Sequence, residues 1–301
     1  MSPRFTATEK NFNAVKGICN VMGTFVTIIA VYPDLEFAQT AVRLAFDEIY
    51  RVNDLMSVHK TDSEVSELNK NGFHDSVSHD TKYVIQRAIC FSELTNGAFD
   101  ITLLPVLKMW ERHTRNKSMP AKSELNRNLG LVGYKNIAIK GNGIKFRKDD
   151  MSVTLAGVAK GYAVDKAIEI LRQNGIRHAM VNGGGDIRVI NGKTDDSPWK
   201  IGLIDPLNRK RFFTTVDLYN QAIATSGAYQ RSFNDLLDPE EGRPNQEILS
   251  STIITEKAID ADVLATAFLI SGRRKGMKIL DKFGDARSLC VTNEGRFIRL
   301  V

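Results

Sequence analysis

The sequence predicts an α+β fold: a single compact domain with mixed and antiparallel sheets and segregated helices. Three observations carry that expectation. Several β-rich runs are joined by short Gly/Asn turns, as in hairpins. Helical stretches do not alternate one for one with strands, as a parallel doubly wound sheet requires. No internal repeat, low-complexity tract or long linker divides the chain. Residues 1–19 read as a polar N-terminal tail, and 20–301 as the domain.

Val21–Val31 alternates loosely and is rich in β-branched residues, which predicts a strand. Asp34 or a neighbour caps a helix with apolar positions Phe37, Ala41, Leu44, Ala45, Ile49 and Val52. Thr61 with Glu64 has the spacing of a capping box before a short helix through Leu68. A helix over Asp80–Leu94 stops at Asn96-Gly97, Phe99–Thr102 is extended, and Pro105 opens a short helix. Ile137, Ile139, Ile144 and Phe146 alternate about Gly141-Asn142-Gly143, a hairpin pattern. The helix after Gly157 ends at Asn174-Gly175. Strands are predicted over Arg177–Val181, Ile187–Ile190, Trp199–Ile204, Phe212–Leu218 and Ile248–Thr255. A helix over Asp260–Ile270, a further helix and a hairpin of Ser288–Thr292 with Arg296–Val301 complete the order.

Composition narrows the function classes. The 301 residues are 43% hydrophobic and 25% charged, ordinary for a globular protein. No apolar run reaches the roughly eighteen residues of a membrane span. The N-terminal stretch lacks an apolar signal core, and Cys19 lacks a lipoprotein-type setting. Cys19, Cys90 and Cys290 are far apart and in no metal-like spacing, with Cys90 on the apolar side of its helix. These features predict a reducing, cytoplasmic location. The net charge of +6 comes from 41 basic and 35 acidic residues spread along the chain. Only Arg209–Arg211 and Arg273–Lys275 cluster, without aromatic interleaving, so nucleic acid is not the expected partner. A small anionic ligand suits a mildly positive surface.

The stretch Leu155–Val189 is the most informative. Ala156, Gly157, Ala159 and Gly161 leave a helix start nearly bare, and Gly183, Gly184 and Gly185 precede Asp186. Two glycine-lined approaches joined by one helix suggest a large phosphate-bearing ligand. The alternative is a tight helix start followed by a hairpin turn. Neither the P-loop nor the Rossmann spacing is present. Asp262 and Thr266 are four apart and share a helix face. They are either hard oxygen ligands of the kind Mg²⁺ takes, or a helix-start acid and a packed threonine. Asp100 either accepts from a ligand or caps a turn. Met22-Gly23-Thr24 lies against a flat ring or simply begins a strand, and Lys160 meets a phosphate or solvent. His59 alone reads as a surface residue, and the five histidines assemble no triad or zinc cluster.

As an ordered set, these segments resemble the ApbE family, the FAD:protein FMN transferases. The matching stretches are Met22–Thr24, Met56–Asn69, Gly97–Pro105, Leu155–Ala167, Val181–Val189, Ala224–Arg231, Leu237–Pro244 and Asp260–Ala267. The resemblance implies a T-fold-related α+β domain that binds FAD. It also implies Mg²⁺-dependent cleavage of the FAD diphosphate, with FMN passed to a Thr or Ser hydroxyl of an acceptor flavoprotein and AMP released. In that scheme Asp262 and Thr266 ligate the metal, with backbone carbonyls of Gly157 and Ala265. Met22, His59, Ala98, Phe99, Asp100, Thr154 and Lys160 fall where members line the nucleotide. Thr154 stands where members usually have Asp. Asp235 stands where members commonly carry His, and so becomes the candidate base toward the acceptor hydroxyl. That departure leaves an FAD pyrophosphatase and a non-catalytic FAD-binding protein as alternative readings.

Overall fold

The computed structural model describes residues 3–8, 13–193, 197–227 and 236–300. The first strands are β1 (Arg4–Thr8), β2 (Ala14–Val21) and β3 (Thr24–Val31). Val21 pairs with Thr24 across a two-residue turn in which Met22 and Gly23 have φ of 55° and 71°, the geometry that right-twisted hairpins favour. β2 runs across the predicted tail boundary at residue 19. β2 pairs with both β1 and β3, and Val15, Cys19 and Val21 along it are buried in the core.

Helix α1 (Leu35–Met56) starts where expected, with the Asp34 carboxylate accepting from the N–H groups of Glu36 and Phe37. Its buried stripe runs through Ala38, Ala41, Val42, Ala45, Phe46, Ile49 and Val52, while Phe37 and Leu44 are exposed. The cap of α2 (Glu64–Asn71) is Ser63, not Thr61, because the Ser63 hydroxyl accepts from Ser66 N–H. Glu64 instead crosses to Ser78, accepting from its N–H and hydroxyl just ahead of the next helix. After β4 (Phe73–His74) comes α3 (His79–Leu94), on which Cys90 is exposed and does not face the core. Phe99–Thr102 is not a strand. Asp100 caps a 3₁₀ turn over Ile101–Leu103, which leads into α4 (Leu104–Arg115) with Pro105 in its first turn.

Helix α5 (Lys122–Leu129) was not expected; it buries only Leu125 and so shows little apolar periodicity. β5 (Ile137–Lys140) and β6 (Gly143–Phe146) form the anticipated hairpin and join β4 in a small sheet. Then follow α6 (Ala159–Gln173), β7 (His178–Gly183), β8 (Asp186–Ile190), β9 (Trp199–Ile204), β10 (Phe212–Leu218), β11 (Ala222–Gly227) and β12 (Ile248–Thr255). Helix α7 (Ala258–Phe283) unites two predicted helices across a kink at Gly272, and β13 (Arg287–Thr292) pairs with β14 (Phe297–Leu300).

The large sheet runs β1–β2–β3–β7–β8–β11–β12–β13–β14, antiparallel throughout. α1, α6 and α7 cover one face. The β9–β10 ribbon covers part of the other, setting Trp199, Ile201, Leu203 and Leu218 against Ile187, Val189, Ile223 and Ile254. β8 is thus buried at all five positions, the signature of a strand covered on both faces.

Two adjacent contacts lock α6 to α7. A Cβ placed on Gly161 would lie 2.4 Å from the Ala258 carbonyl oxygen, so only glycine permits this crossing. One turn along α6, the buried Asp165 carboxylate accepts from Ala258 N–H at 2.9 Å and Ile259 N–H at 3.0 Å. It thereby caps a helix whose own N-cap, Lys257, makes no side-chain cap. Arg188 of β8 pairs with the same carboxylate at 2.7 Å, and both side chains are buried. Asp165→Ala removes the cap and strands a buried guanidinium. We expect a loss of about 3–5 kcal/mol in stability by urea unfolding; an unchanged midpoint would show that the clamp is dispensable.

Candidate active site

A cleft of about 350 Å³ opens where seven segments meet: the β2–β3 turn, the Ala98–Leu107 stretch, the loop into α6, the β7–β8 turn, the end of β11, the Leu236–Pro239 stretch and α7. Backbone chemistry shapes its floor. Gly184 and Gly185 take φ of 71° and 109°, and the Asn182 carboxamide accepts from Gly185 N–H at 2.8 Å, delivering Asp186 to the cleft wall. A Cβ on Gly157 would meet the Phe99 ring at 3.1 Å and the Thr266 hydroxyl at 3.9 Å, so the bare loop lies against both.

The charged groups converge. Lys160 Nζ donates to Asp186 and lies 3.5 Å from Asp262 Oδ1. The other Asp262 oxygen accepts from Gly161 N–H at 3.1 Å. Burial opposes the Lys160 charge, but the two carboxylates outweigh it and hold the ammonium above its usual range. Burial, reinforced by the neighbouring Asp262 charge, pushes the Asp186 carboxyl up to about 7, with Lys160 pulling it back. Thr266, one turn beyond Asp262, exchanges a 3.0 Å hydrogen bond with Ser226 of β11.

Most of the sequence-predicted residues meet here. Met22, Ala98, Phe99, Asp100, Thr154, Gly157, Lys160, Asp262 and Thr266 all line the cleft. Ala265 is fully buried in α7 beside Thr266 and does not line it. Asp100 caps its turn and also lines the cleft. Its carboxylate accepts from Thr102 N–H and hydroxyl and from Tyr134 N–H, at 2.8, 2.6 and 2.9 Å. His59 sits exposed in the loop after α1, outside the lining residues. Asp235 lies outside the described residues.

Sequence reasoning placed Asp186 beside a glycine turn but did not pair it with Lys160, since 26 residues separate them. It missed Ser226 and Asp165 altogether. Only Asp165 had a signal, an acid on the otherwise apolar face of α6 among Tyr162, Val164 and Ile168.

A carboxyl whose folded pKa is raised keeps a proton that the unfolded chain has already lost. The stability this proton contributes is complete below about pH 4 and is lost as pH rises toward 7. With EDTA present and FAD absent, the melting temperature of the parent is expected to fall from pH 5 to pH 8 relative to Asp186→Asn. Parallel pH profiles would contradict this assignment.

Known proteins share this architecture. The model of the ApbE family matches residues 22–289. A Vibrio cholerae FAD:protein FMN transferase is 31% identical over 261 residues, covering 82% of this chain and 77% of its own length. The Haemophilus influenzae protein of the same name is 29% identical over 266 residues, with the same coverages of 82% and 77%. Among solved structures, the Vibrio cholerae flavin transferase ApbE superposes with a TM-score of 0.83 at 29% identity, over 96% of this chain and 97% of the other. The ApbE protein of Thermotoga maritima does so with a TM-score of 0.87 at 29% identity, over 98% and 97%. With seven of its eight motifs contributing to one cleft, this chain belongs to the ApbE family of flavin transferases.

Proposed function

We propose that the protein is a Mg²⁺-dependent FAD:protein FMN transferase. It would cleave the FAD diphosphate and attach FMN to a Thr or Ser hydroxyl of an acceptor flavoprotein, releasing AMP. The observation that carries this reading is the convergence of Asp262, Thr266, Asp186 and Lys160 on a cleft with a glycine-lined wall. A diphosphate needs charge neutralisation and close backbone approach, and requires no protein nucleophile.

The donor set suits a hard cation. Asp262 offers a carboxylate oxygen and Thr266 a hydroxyl, and the Gly157 backbone passes close enough to Thr266 that a Cβ there would stand 3.9 Å from its oxygen. Among the described residues no three His, Cys, Asp or Glu side chains form a metal cluster, so hydroxyl and backbone oxygens, phosphate and water would complete the shell. Few protein ligands, with the rest drawn from phosphate and water, is the pattern Mg²⁺ prefers. When bound, the ion would supply Lewis-acid stabilisation of the phosphoryl oxygens.

The chain's own residues set the geometry. The Gly161 N–H fixes the Asp262 carboxylate, and Ser226 orients the Thr266 hydroxyl. Lys160 provides a fixed positive charge between two acids, which suits a ligand whose charge is concentrated in a diphosphate. Phe99, Leu103, Leu107 and Ile270 form an apolar wall that excludes water from one side. Met22, held at the tip of the β2–β3 turn, offers a polarisable thioether to a flat ring.

Incubation with FAD, Mg²⁺ and a Thr-containing acceptor peptide tests the reading, and covalent fluorescent flavin on the peptide is the expected product. Free FMN and AMP alone would instead identify a pyrophosphatase, the reading opened by Asp235, and intact FAD a binding protein. Asp262→Ala is expected to lower Mg²⁺-dependent FAD turnover at least about 10³-fold. Turnover at the parent rate would overturn the metal assignment.

A further inference from the structure

A second concavity of about 650 Å³ adjoins the cleft and shares Ala98, Asp100 and Pro239 with it. We propose that this groove docks an acidic segment of the acceptor protein, presenting the acceptor hydroxyl to the cleft. The proposal rests on the transferase reading above.

One wall of the groove is the second half of α7. The helix breaks at Gly272, and the Glu247 carboxylate accepts from Arg273 N–H at 3.2 Å, capping the second half as a new helix start. The segment therefore leaves the direction of the helix that carries Asp262 and Thr266. It brings Arg274, Lys275, Lys278 and Lys282 to the groove. Arg274, Lys278 and Lys282 are spaced four apart, so they form one stripe. All four side chains are exposed. None of them enters an ion pair among the described residues.

The carboxylates of the opposite wall do not answer this stripe. Asp100 is turned into its own backbone cap, and Asp238 accepts from Glu240 N–H and Glu241 N–H at 2.8 and 3.3 Å. Among the described residues lining the groove, only Glu240 is left without such a role, and it is exposed. The α7 wall itself contributes four cations and no acid to the groove.

The length of the stripe selects the kind of anion. Eight helical residues rise about 12 Å, the reach of about four residues of extended peptide. A single phosphate meets one or two of these cations, whereas an extended run of Asp and Glu side chains meets all of them. Transfer requires two substrates at one diphosphate. With FAD in the cleft, the acceptor hydroxyl must arrive over the rim, and the rim at Ala98 and Pro239 leads into this groove. A segment threading a Thr into the cleft would lay its flanking residues along the cationic wall.

The test uses fluorescein-labelled peptides carrying one Thr flanked by Asp and Glu, or by Asn and Gln, titrated with full-length protein in the presence of FAD and Mg²⁺. By fluorescence anisotropy the acidic peptide is expected to bind at least about tenfold tighter than the neutral one. That advantage should shrink as salt rises from about 50 to 500 mM and vanish in Arg274→Glu/Lys278→Glu/Lys282→Glu. FAD affinity, read from flavin fluorescence, should stay within about twofold in the triple variant, and the salt titration of the parent tests the proposal without any variant. Equal binding of the two peptides, or an acidic preference that survives the triple reversal, would overturn the proposal. So would competitive displacement of the acidic peptide by AMP or inorganic pyrophosphate, which would make the groove a nucleotide subsite. Because anisotropy needs no turnover, acidic preference without flavin transfer would count against the transferase reading while supporting the groove.

Discussion

The close crossing of α6 and α7 is the constraint on which the active-site geometry depends. Gly161 lets the two backbones touch, and the Gly161 N–H then meets the Asp262 carboxylate across the same contact. One turn further along α6, Asp165 caps α7 and ties it to β8 through Arg188. The position of Asp262 is thus fixed by a neighbouring helix as well as by its own. Thr266, which repeats on the same face four residues later, inherits that register. A buried ion pair is weak evidence for stability, but losing one partner strands the other charge. Here it joins two helices and a central strand at one point.

The electrostatics of the cleft follow from this arrangement. Asp186 arrives on a turn of the sheet, Asp262 on α7, and Lys160 on the first turn of α6 between them. Burial first, and then the neighbouring Asp262 carboxylate, push the Asp186 carboxyl up to about 7. The Lys160 ammonium opposes this shift. A compact, flexible cation suits this position, because its single charge can respond to whichever anion occupies the cleft, whereas a guanidinium would hold a fixed bidentate geometry.

Much of the fold was legible because periodicity and turn chemistry agree along most of the chain. Asp34, the β5–β6 hairpin and Asn174-Gly175 all act as their local patterns indicate. Local signals failed where tertiary contacts outrank them. Glu64 abandons the capping box because Ser78 offers two donors, and β11 escaped notice because its small residues Ala222, Ala224 and Gly227 carry little alternation. The site was legible as a set of motifs but not as a set of contacts. Nothing local connects Lys160 with Asp186, or Ser226 with Thr266, since each pair is made by folding distant segments together. His59, a family position, lies outside the lining of the cleft described here.

The seven segments lining the cleft span residues 22 to 270, so no contiguous third of the chain contains them. Contacts of such long sequence separation are costly in chain entropy and close late during folding. A nucleotide held by all seven at once would therefore bind only the finished domain, and its binding energy would be shared by every element that delivers a wall residue. Cofactor supply and protein lifetime would then be linked: the saturated protein resists unfolding and proteolysis as one unit, and the starved protein is the form most readily cleared.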